Sequence, residues 1–498
     1  MSVLGIELGS TRIKAVVIDE NYQVTASGAH AWENKLLDGY WTYALEDVWA
    51  GIADALQQLS LDKENTRIDA LGVSAMMHGY LAFDENDNLL VPFRTWHNTS
   101  TAQAAAALTE LFGFNIPQRW SVAHLFQAIL NGEPHVERIT TITTLAGYVH
   151  WKLTGEKVLG IGDASGMFPI TDGAYDSVMV EKFRNLTGID WNSIAPKILS
   201  AGECAGRLIE PLNGIPAGTP LCPPEGDAGT GMVATNSVAA RTGNVSAGTS
   251  IFAMSVLEKP LSKVYTEIDM VTTPTGKPVA MVHCNSCTTD LDAWVKLFGE
   301  LGALLGAKIS KSALYDRLYE QVLAGDADCG GLLSYNFYAG EPVLGLKQGL
   351  PLFARQLDSS FTLPNFMRAL LYSAMAALKI GMEILEREGV FPDQILGHGG
   401  LFKTPLVGQK LMASALGIPV VTMETAGEGG PWGMALLASY ILRGQGESLE
   451  DFLANQVFAG AKSVSVLPDE AVRAGFTAFI ERYQNGLSIA ETAATLLM

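Results

Sequence analysis

Positive charge is scarce in this chain. Lysine and arginine number 33 against 52 aspartates and glutamates, a formal net charge of −19 at neutral pH, and no basic run offsets the imbalance. A surface of that sign repels a phosphate backbone, so nucleic acid is not an expected partner. Cysteine is scarce too. Cys204, Cys222, Cys284, Cys287 and Cys329 are too few and too scattered for a disulfide framework, which points to a reduced, cytoplasmic protein. Cys284 and Cys287 lack the second pair of a zinc site, and His283 beside them does not complete one, so both read as buried structural thiols. No stretch reaches the roughly 20 uninterrupted apolar residues of a membrane span. The N-terminal segment has neither a basic n-region nor a cleavable apolar core, since Glu7 and Arg12 interrupt its apolar run; neither a signal peptide nor a membrane partner is expected. The P-loop pattern G-x-x-x-x-G-K-[ST] is also missing. Gly229-Thr230-Gly231-Met232-Val233-Ala234 matches G-x-G-x-x-A, but it follows Pro223-Pro224-Glu225-Gly226-Asp227 rather than a clean strand. With no ribose-binding acid after it, a dinucleotide site is not expected.

What is present is the material of a compact α/β protein. The 498 residues are 48% hydrophobic and 17% charged, enough for two or three domains with full cores and too apolar for disorder. Leu45, Val48, Trp49, Ile52, Ala53, Leu56 and Leu59 carry the spacing of a half-buried helix. Residues 68–74 read as a strand, 366–385 as a long helix, and 394 through 417 to 421 as a β-then-α unit. Strands and helices thus alternate in both halves. A boundary is expected near Arg241-Thr242-Gly243, giving domains 1–242 and 243–498.

Each half contains a short glycine turn between two apolar strands: Gly9-Ser10-Thr11 after Gly5-Ile6-Glu7-Leu8, and Gly248-Thr249-Ser250 after Asn244-Val245-Ser246-Ala247. Such turns expose backbone N–H groups and hydroxyls to an anion with no bulky side chain in the way. Two of them suggest two related lobes closing on one polyphosphate. Asp227 sits in a stretch of small residues that can open a helix. A carboxylate there could take a proton from a hydroxyl attacking a γ-phosphate; an N-cap aspartate fits the position equally well.

The order of the motifs along nearly the whole chain resembles the FGGY carbohydrate kinases, which include xylulokinase, ribulokinase and glycerol kinase. Gly5–Thr11 resembles the first phosphate motif of that family, and Gly72-Val73-Ser74-Ala75-Met76-Met77-His78-Gly79 its stretch ending in Met-His-Gly. Trp96-His97-Asn98 lies where a Trp-led sugar motif is found. Leu153-Thr154-Gly155-Glu156 with Asp163-Ala164-Ser165 is similar to a family signature, and Glu225-Gly226-Asp227 falls at the catalytic aspartate. Ala247-Gly248-Thr249-Ser250 corresponds to the second phosphate turn. Gly397-His398-Gly399-Gly400-Leu401-Phe402-Lys403 and Gly429-Gly430-Pro431-Trp432-Gly433 resemble the adenosine-side motifs.

The resemblance implies an α/β, two-lobed actin-like (ribonuclease H-like) ATPase fold with the active site in the interdomain cleft. It implies an ATP-dependent, magnesium-requiring sugar kinase acting on a ketopentose such as xylulose or ribulose, and, by analogy alone, a homodimer. Asp227 would be the general base. Gly9, Ser10, Thr11, Gly248 and Thr249 would hold phosphate oxygens, and Gly399, Gly400, Lys403 and Gly430 the rest of ATP. Glu7 and Asp227 would serve Mg²⁺. Met77, His78, Trp96 and Asn98 would contact the sugar, although the first two could be a core methionine and histidine and Trp96 a core aromatic. Glu7 stands where the family carries aspartate, Asn98 and Ser100 where xylulokinase-like chains often carry aspartate and arginine, Met76 where they carry glutamine, and Tyr372 where glutamate is common. Two alternatives follow: a kinase of a sugar alcohol such as glycerol, erythritol or a pentitol, and an actin-like ATP-dependent sugar-sensing switch. A switch needs no base beside a sugar pocket, and a glycerol kinase would carry an Arg-Glu pair in place of Met77-His78.

Overall fold

A computed structural model describes residues 1–60, 67–423, 429–444 and 446–497. Contacts divide the chain into two units, neither of them one contiguous stretch. The first comprises 1–240, 269–279 and 428–461, the second 241–268, 280–427 and 462–498.

The first unit is built on a mixed sheet. Strands β1 (Val3–Leu8), β2 (Arg12–Ile18) and β3 (Val24–Ala31) form an antiparallel meander. Helix α1 (Leu45–Gln58) buries Val48, Ile52, Ala55 and Leu56. The expected helix is therefore present, except that Ala53 faces solvent and Ala55 occupies the buried position. Strand β4 (Ala70–Ala75), buried along its whole length, pairs in parallel with β1. Glu225–Gly226 then adds in parallel to Ser74 and Ala75 of β4, and helix α2 (Asp227–Ala234) begins at the next residue. The Gly429–Arg443 helix packs on β1, β4 and α2. Three parallel strand ends (Leu8, Ala75 and Gly226) thus open on one edge of the sheet, where α/β proteins place their ligands.

The second unit repeats the plan. Strands β5 (Thr242–Ala247) and β6 (Ile251–Val256) form an antiparallel hairpin. Helix α3 (Leu363–Arg387) is the expected long helix, begun by a Thr362 cap that accepts from the N–H of Asn365. Strand β7 (Gln394–Gly399) lies parallel to β5, helix α4 (Val407–Leu416) follows, and β8 (Val420–Met423) pairs in parallel with β7. The duplicated glycine turns are therefore the same topological element: the tip of a hairpin whose first strand has a parallel neighbour. Tyr372 lies wholly in the core of α3 against Phe476 and Phe479, its hydroxyl donating to Ala327 O at 3.1 Å. That departure from the family pattern is a packing substitution.

All five cysteines are free thiols. Cys284 and Cys287 are buried, as are Cys222 and Cys329, while Cys204 is exposed. Among the described residues, no helix is long and apolar enough to cross a membrane.

Candidate active site

In the first unit, Gly9-Ser10-Thr11, Met76-Met77-His78 and Asp227 each follow one of the three parallel strand ends. Asp227 is the first residue of α2, and Gly226 holds the N-cap position. The alternative of an aspartate cap is thereby excluded. One carboxylate oxygen, Oδ1, accepts the backbone N–H of Met77 at 3.0 Å, while the side chain keeps solvent exposure. Crowding by surrounding protein raises its carboxyl above the ordinary aspartate value, and the Met77 N–H is the largest opposing influence, with Arg119 a smaller one. The exposed area moderates that rise. A carboxylate anchored by backbone N–H groups, those of Met77, Ala228 and Asp227 itself, and still exposed to solvent is suited to receive a proton at neutral pH.

Met77 and His78 are 5% exposed. Met77 contributes its backbone to Asp227. His78 takes φ +71°, a left-handed conformation unusual for a bulky side chain, and its Nδ1 lies 3.1 Å from Gly166 O. That acceptor assigns the ring proton to Nδ1. Backbone strain of this kind persists where surrounding structure enforces it, and such positions cluster at ligand sites. Trp96 is half-buried, its ring 3.7 Å from that of His97.

Asn98 requires a correction. Its side chain is 4% exposed and fully engaged: Oδ1 accepts Trp41 N–H at 2.8 Å, and Nδ2 donates to Trp41 O and Thr95 O, both at 2.9 Å. It anchors the hairpin Lys35–Leu37/Tyr40–Thr42 and has no amide group left for a sugar hydroxyl. Asn98→Asp would replace two satisfied donor contacts with carboxylate–carbonyl repulsion. It should lower stability at pH 7 by at least about 1–3 kcal/mol, read from denaturant midpoints. An unchanged midpoint would mean that these bonds carry no weight.

Glu7 ends one residue before the turn. Burial, then the charge of Asp227, pushes its carboxyl up to about 7, with Lys14 pulling the other way. Gly430 also requires reassignment. A Cβ there would lie 1.5 Å from Glu7 Oε2 and 3.2 Å from Thr230 Oγ1, so this glycine makes room for the Glu7 carboxylate rather than for adenosine. A half-buried glutamate whose proton affinity is raised by the neighbouring charge of Asp227 marks a place where two carboxylates gather negative charge. A hard divalent cation such as Mg²⁺, which prefers oxygen donors, suits that donor set.

Several residues here were not assigned from sequence. Arg119 and Asp269 form an ion pair, with Asn115 Nδ2 donating to Asp269 at 3.2 Å. No local pattern marks them, because separate segments meet at this point. Asp163 and Glu225 stood in recognised motifs without a role. Burial pushes them to about 7 and about 8, and Thr144 Oγ1 donates to Asp163 at 2.6 Å.

In the second unit, Gly248 and Thr249 occupy the hairpin tip, with Thr249 exposed. The Gly248 N–H donates to Ser250 O at 2.9 Å, as the Gly9 N–H donates to Arg12 O at 2.9 Å. Neither glycine amide is therefore available to a phosphate, which corrects the expectation that Gly9 and Gly248 donate. Gly399 pairs with Ala247 and takes φ +98°; a Cβ there would meet Ala247 O at 2.4 Å. Strand pairing thus explains this glycine. Gly400 is open, its nearest such neighbour being Ala247 O at 3.9 Å, and Lys403 is exposed beyond it.

The profiles of the FGGY family of carbohydrate kinases match residues 2–234 for its N-terminal domain and 243–442 for its C-terminal domain. Among curated proteins, a xylulose kinase from Haemophilus influenzae is 23% identical over 97% of this chain and 99% of its own length. Among solved structures, a ligand-bound xylulose kinase from Lactobacillus acidophilus superposes with a TM-score of 0.84 at 16% identity, covering 100% of both chains. A gluconate kinase from the same organism reaches 0.83 at 16% identity, covering 100% of this chain and 99% of its own.

Proposed function

Because the chain belongs to the FGGY family of carbohydrate kinases, we propose that it phosphorylates a ketopentose such as xylulose or ribulose, with Asp227 as general base. ATP-dependent phosphorylation of a carbohydrate and the two-unit actin-like α/β fold come with the family; the sugar, the metal and the residue roles belong to this reading. It rests chiefly on Asp227, an exposed carboxylate at the start of α2 whose Oδ1 accepts the Met77 N–H, beside the strained His78. The curated relative of matching length named above acts on xylulose. The near-equal likeness to a gluconate kinase means that backbone shape does not select the sugar.

In this reading the sugar lies against Met77, His78 and Trp96, and its reacting hydroxyl gives its proton to the Asp227 carboxylate. Ser10, Thr11 and Thr249 hold phosphate oxygens, while Gly400 and Lys403 flank the nucleotide. Glu7 and Asp227 hold Mg²⁺, which supplies charge neutralisation for the polyphosphate. A homodimer, carried over from the family, and a cytoplasmic location, in keeping with the five free thiols, complete the reading.

The test is ADP release with Mg·ATP across ketopentoses, deoxyketoses, pentitols, tetritols, glycerol and gluconate, with Asp227→Ala as the blank. A ketopentose should exceed the other classes by roughly tenfold or more, within the range that differential hydroxyl contacts provide. Preference for a polyol or for gluconate would overturn the sugar assignment.

A further inference from the structure

The glycine turn of the first unit is held from behind by two side chains that no motif includes. Three consecutive carbonyls of the turn are taken up inside the protein. Trp32 Nε1 donates to Gly9 O at 2.7 Å, Tyr43 OH to Ser10 O at 2.6 Å, and Trp32 N–H to Thr11 O at 3.2 Å. In a trans peptide the C=O of one residue and the N–H of the next point in opposite directions. Fixing Gly9 O inward therefore aims the Ser10 N–H outward, and fixing Ser10 O does the same for Thr11 N–H. The Gly9 N–H is already spent on Arg12 O. Two adjacent outward amides form the concave donor pair that binds an anionic oxygen.

The second unit reaches the same result by another route. Thr288 N–H and Oγ1 donate to Gly248 O at 3.1 and 2.9 Å, and Cys287 N–H donates to Thr249 O at 2.9 Å. That aims the amides of Thr249 and Ser250 outward. The arrangement recurs in two hairpins with no side chain in common, which argues that carbonyl capture is a requirement of the turn rather than an accident of packing.

We propose that Trp32 and Tyr43 are positioning residues of the phosphate-binding reaction, setting the Ser10 and Thr11 amides toward ATP by holding the carbonyls on the opposite side. This inference rests on the reading of the turn as a phosphate site. The two rings stack at 4.2 Å with an interplanar angle of 29°, and Tyr43 is 3% exposed. Burial pushes the Tyr43 phenol up to about 12, so it remains a donor throughout the working pH range.

The full-length enzyme is assayed as three variants against wild type, with KM for ATP, KM for the sugar, kcat and the thermal midpoint measured for each. Tyr43→Phe keeps the stack and removes only the donor. It should raise KM for ATP by roughly 3- to 10-fold, the worth of one hydrogen bond, with KM for the sugar unchanged. Tyr80→Phe is the comparison: an equally buried tyrosine whose hydroxyl is 2.8 Å from His135 Nε2 and bonds no group of the turn. It should lower the midpoint by a similar amount and leave KM for ATP unchanged. Thr11→Glu places a carboxylate on an exposed position of the turn and should weaken ATP at least tenfold. If Thr11→Glu leaves ATP untouched, the turn is no phosphate site and both readings fall. If Thr11→Glu acts while Tyr43→Phe matches Tyr80→Phe in every constant, the positioning role alone is overturned.

Discussion

Asp227→Ala should lower phosphoryl transfer by about 10²–10⁴-fold or more, the usual contribution of a positioned base, while ATP still binds. Phosphoryl transfer asks the protein mainly to position groups and neutralise charge, so removing the base leaves nucleotide binding largely intact. Alanine also removes the acceptor of the Met77 N–H, and loss of activity could then come from movement of the Met77-His78 segment. Asp227→Asn separates the two effects. Its amide oxygen can still accept from Met77, so the local shape survives while basicity disappears. A kcat as low as that of the alanine variant, with both KM values near wild type, assigns the loss to proton transfer. An asparagine variant that keeps a tenth or more of wild-type kcat would remove Asp227 from the base role.

Gly430→Ala should weaken magnesium affinity, raising the Mg²⁺ concentration needed for half-maximal turnover by roughly 10- to 100-fold, the range found when a group that orients metal ligands is disturbed. The cause is steric. The added Cβ would stand 1.5 Å from Glu7 Oε2, a separation no structure tolerates, and the end of a glutamate side chain moves more easily than backbone. Glu7 therefore turns away and the helix stays, since alanine is a better helix former than glycine by about 1 kcal/mol. Little loss of stability is expected alongside a large shift in the Mg²⁺ concentration giving half-maximal rate. Glu7→Gln should shift it similarly without steric conflict. Normal magnesium dependence in both variants would place the metal elsewhere.

The same carboxylate carries a pH signature. In the native protein its proton is held more tightly than at its ordinary value of 4.5, with release near 7. Its contribution to stability is thus fully present below about pH 4.5 and lost as pH rises through about 7. Glu7→Gln should flatten that part of the profile, and Mg²⁺ should offset the loss in the wild type. Asp163 and Glu225 act in the same direction, so a residual slope remains in the variant.

Legibility from sequence differed by residue. Helix α1, strand β4, helix α3 and the β7–α4–β8 unit were readable because each buries one face or a whole run of its own residues, a local periodic signal. The hairpin form of both turns was readable for the same reason. Asn98 was misread because a Trp-led motif indicates that a polar residue is near the site, not whether its amide is already occupied by Trp41 and Thr95. Gly399 and Gly430 were recognised as obligatory glycines, but the atoms that require them, Ala247 O and Glu7 Oε2, come from distant segments. Arg119 and Asp269 had no local signal at all.

The chain by itself determined the family, the alternation of strands and helices, the two glycine turns and the acid that follows Gly226. These are properties of neighbouring residues and of motif order, which survive without coordinates. Only the tertiary structure decided which donors the turns present, because the direction of an amide depends on what holds the carbonyl behind it. For Gly9, Ser10 and Thr11 those partners are Trp32 and Tyr43. Tertiary structure also decided that Asp227 accepts the Met77 N–H and that Gly430 makes room for Glu7. Each is a contact between segments far apart in sequence, formed when strand pairing brings their ends to one edge of a sheet.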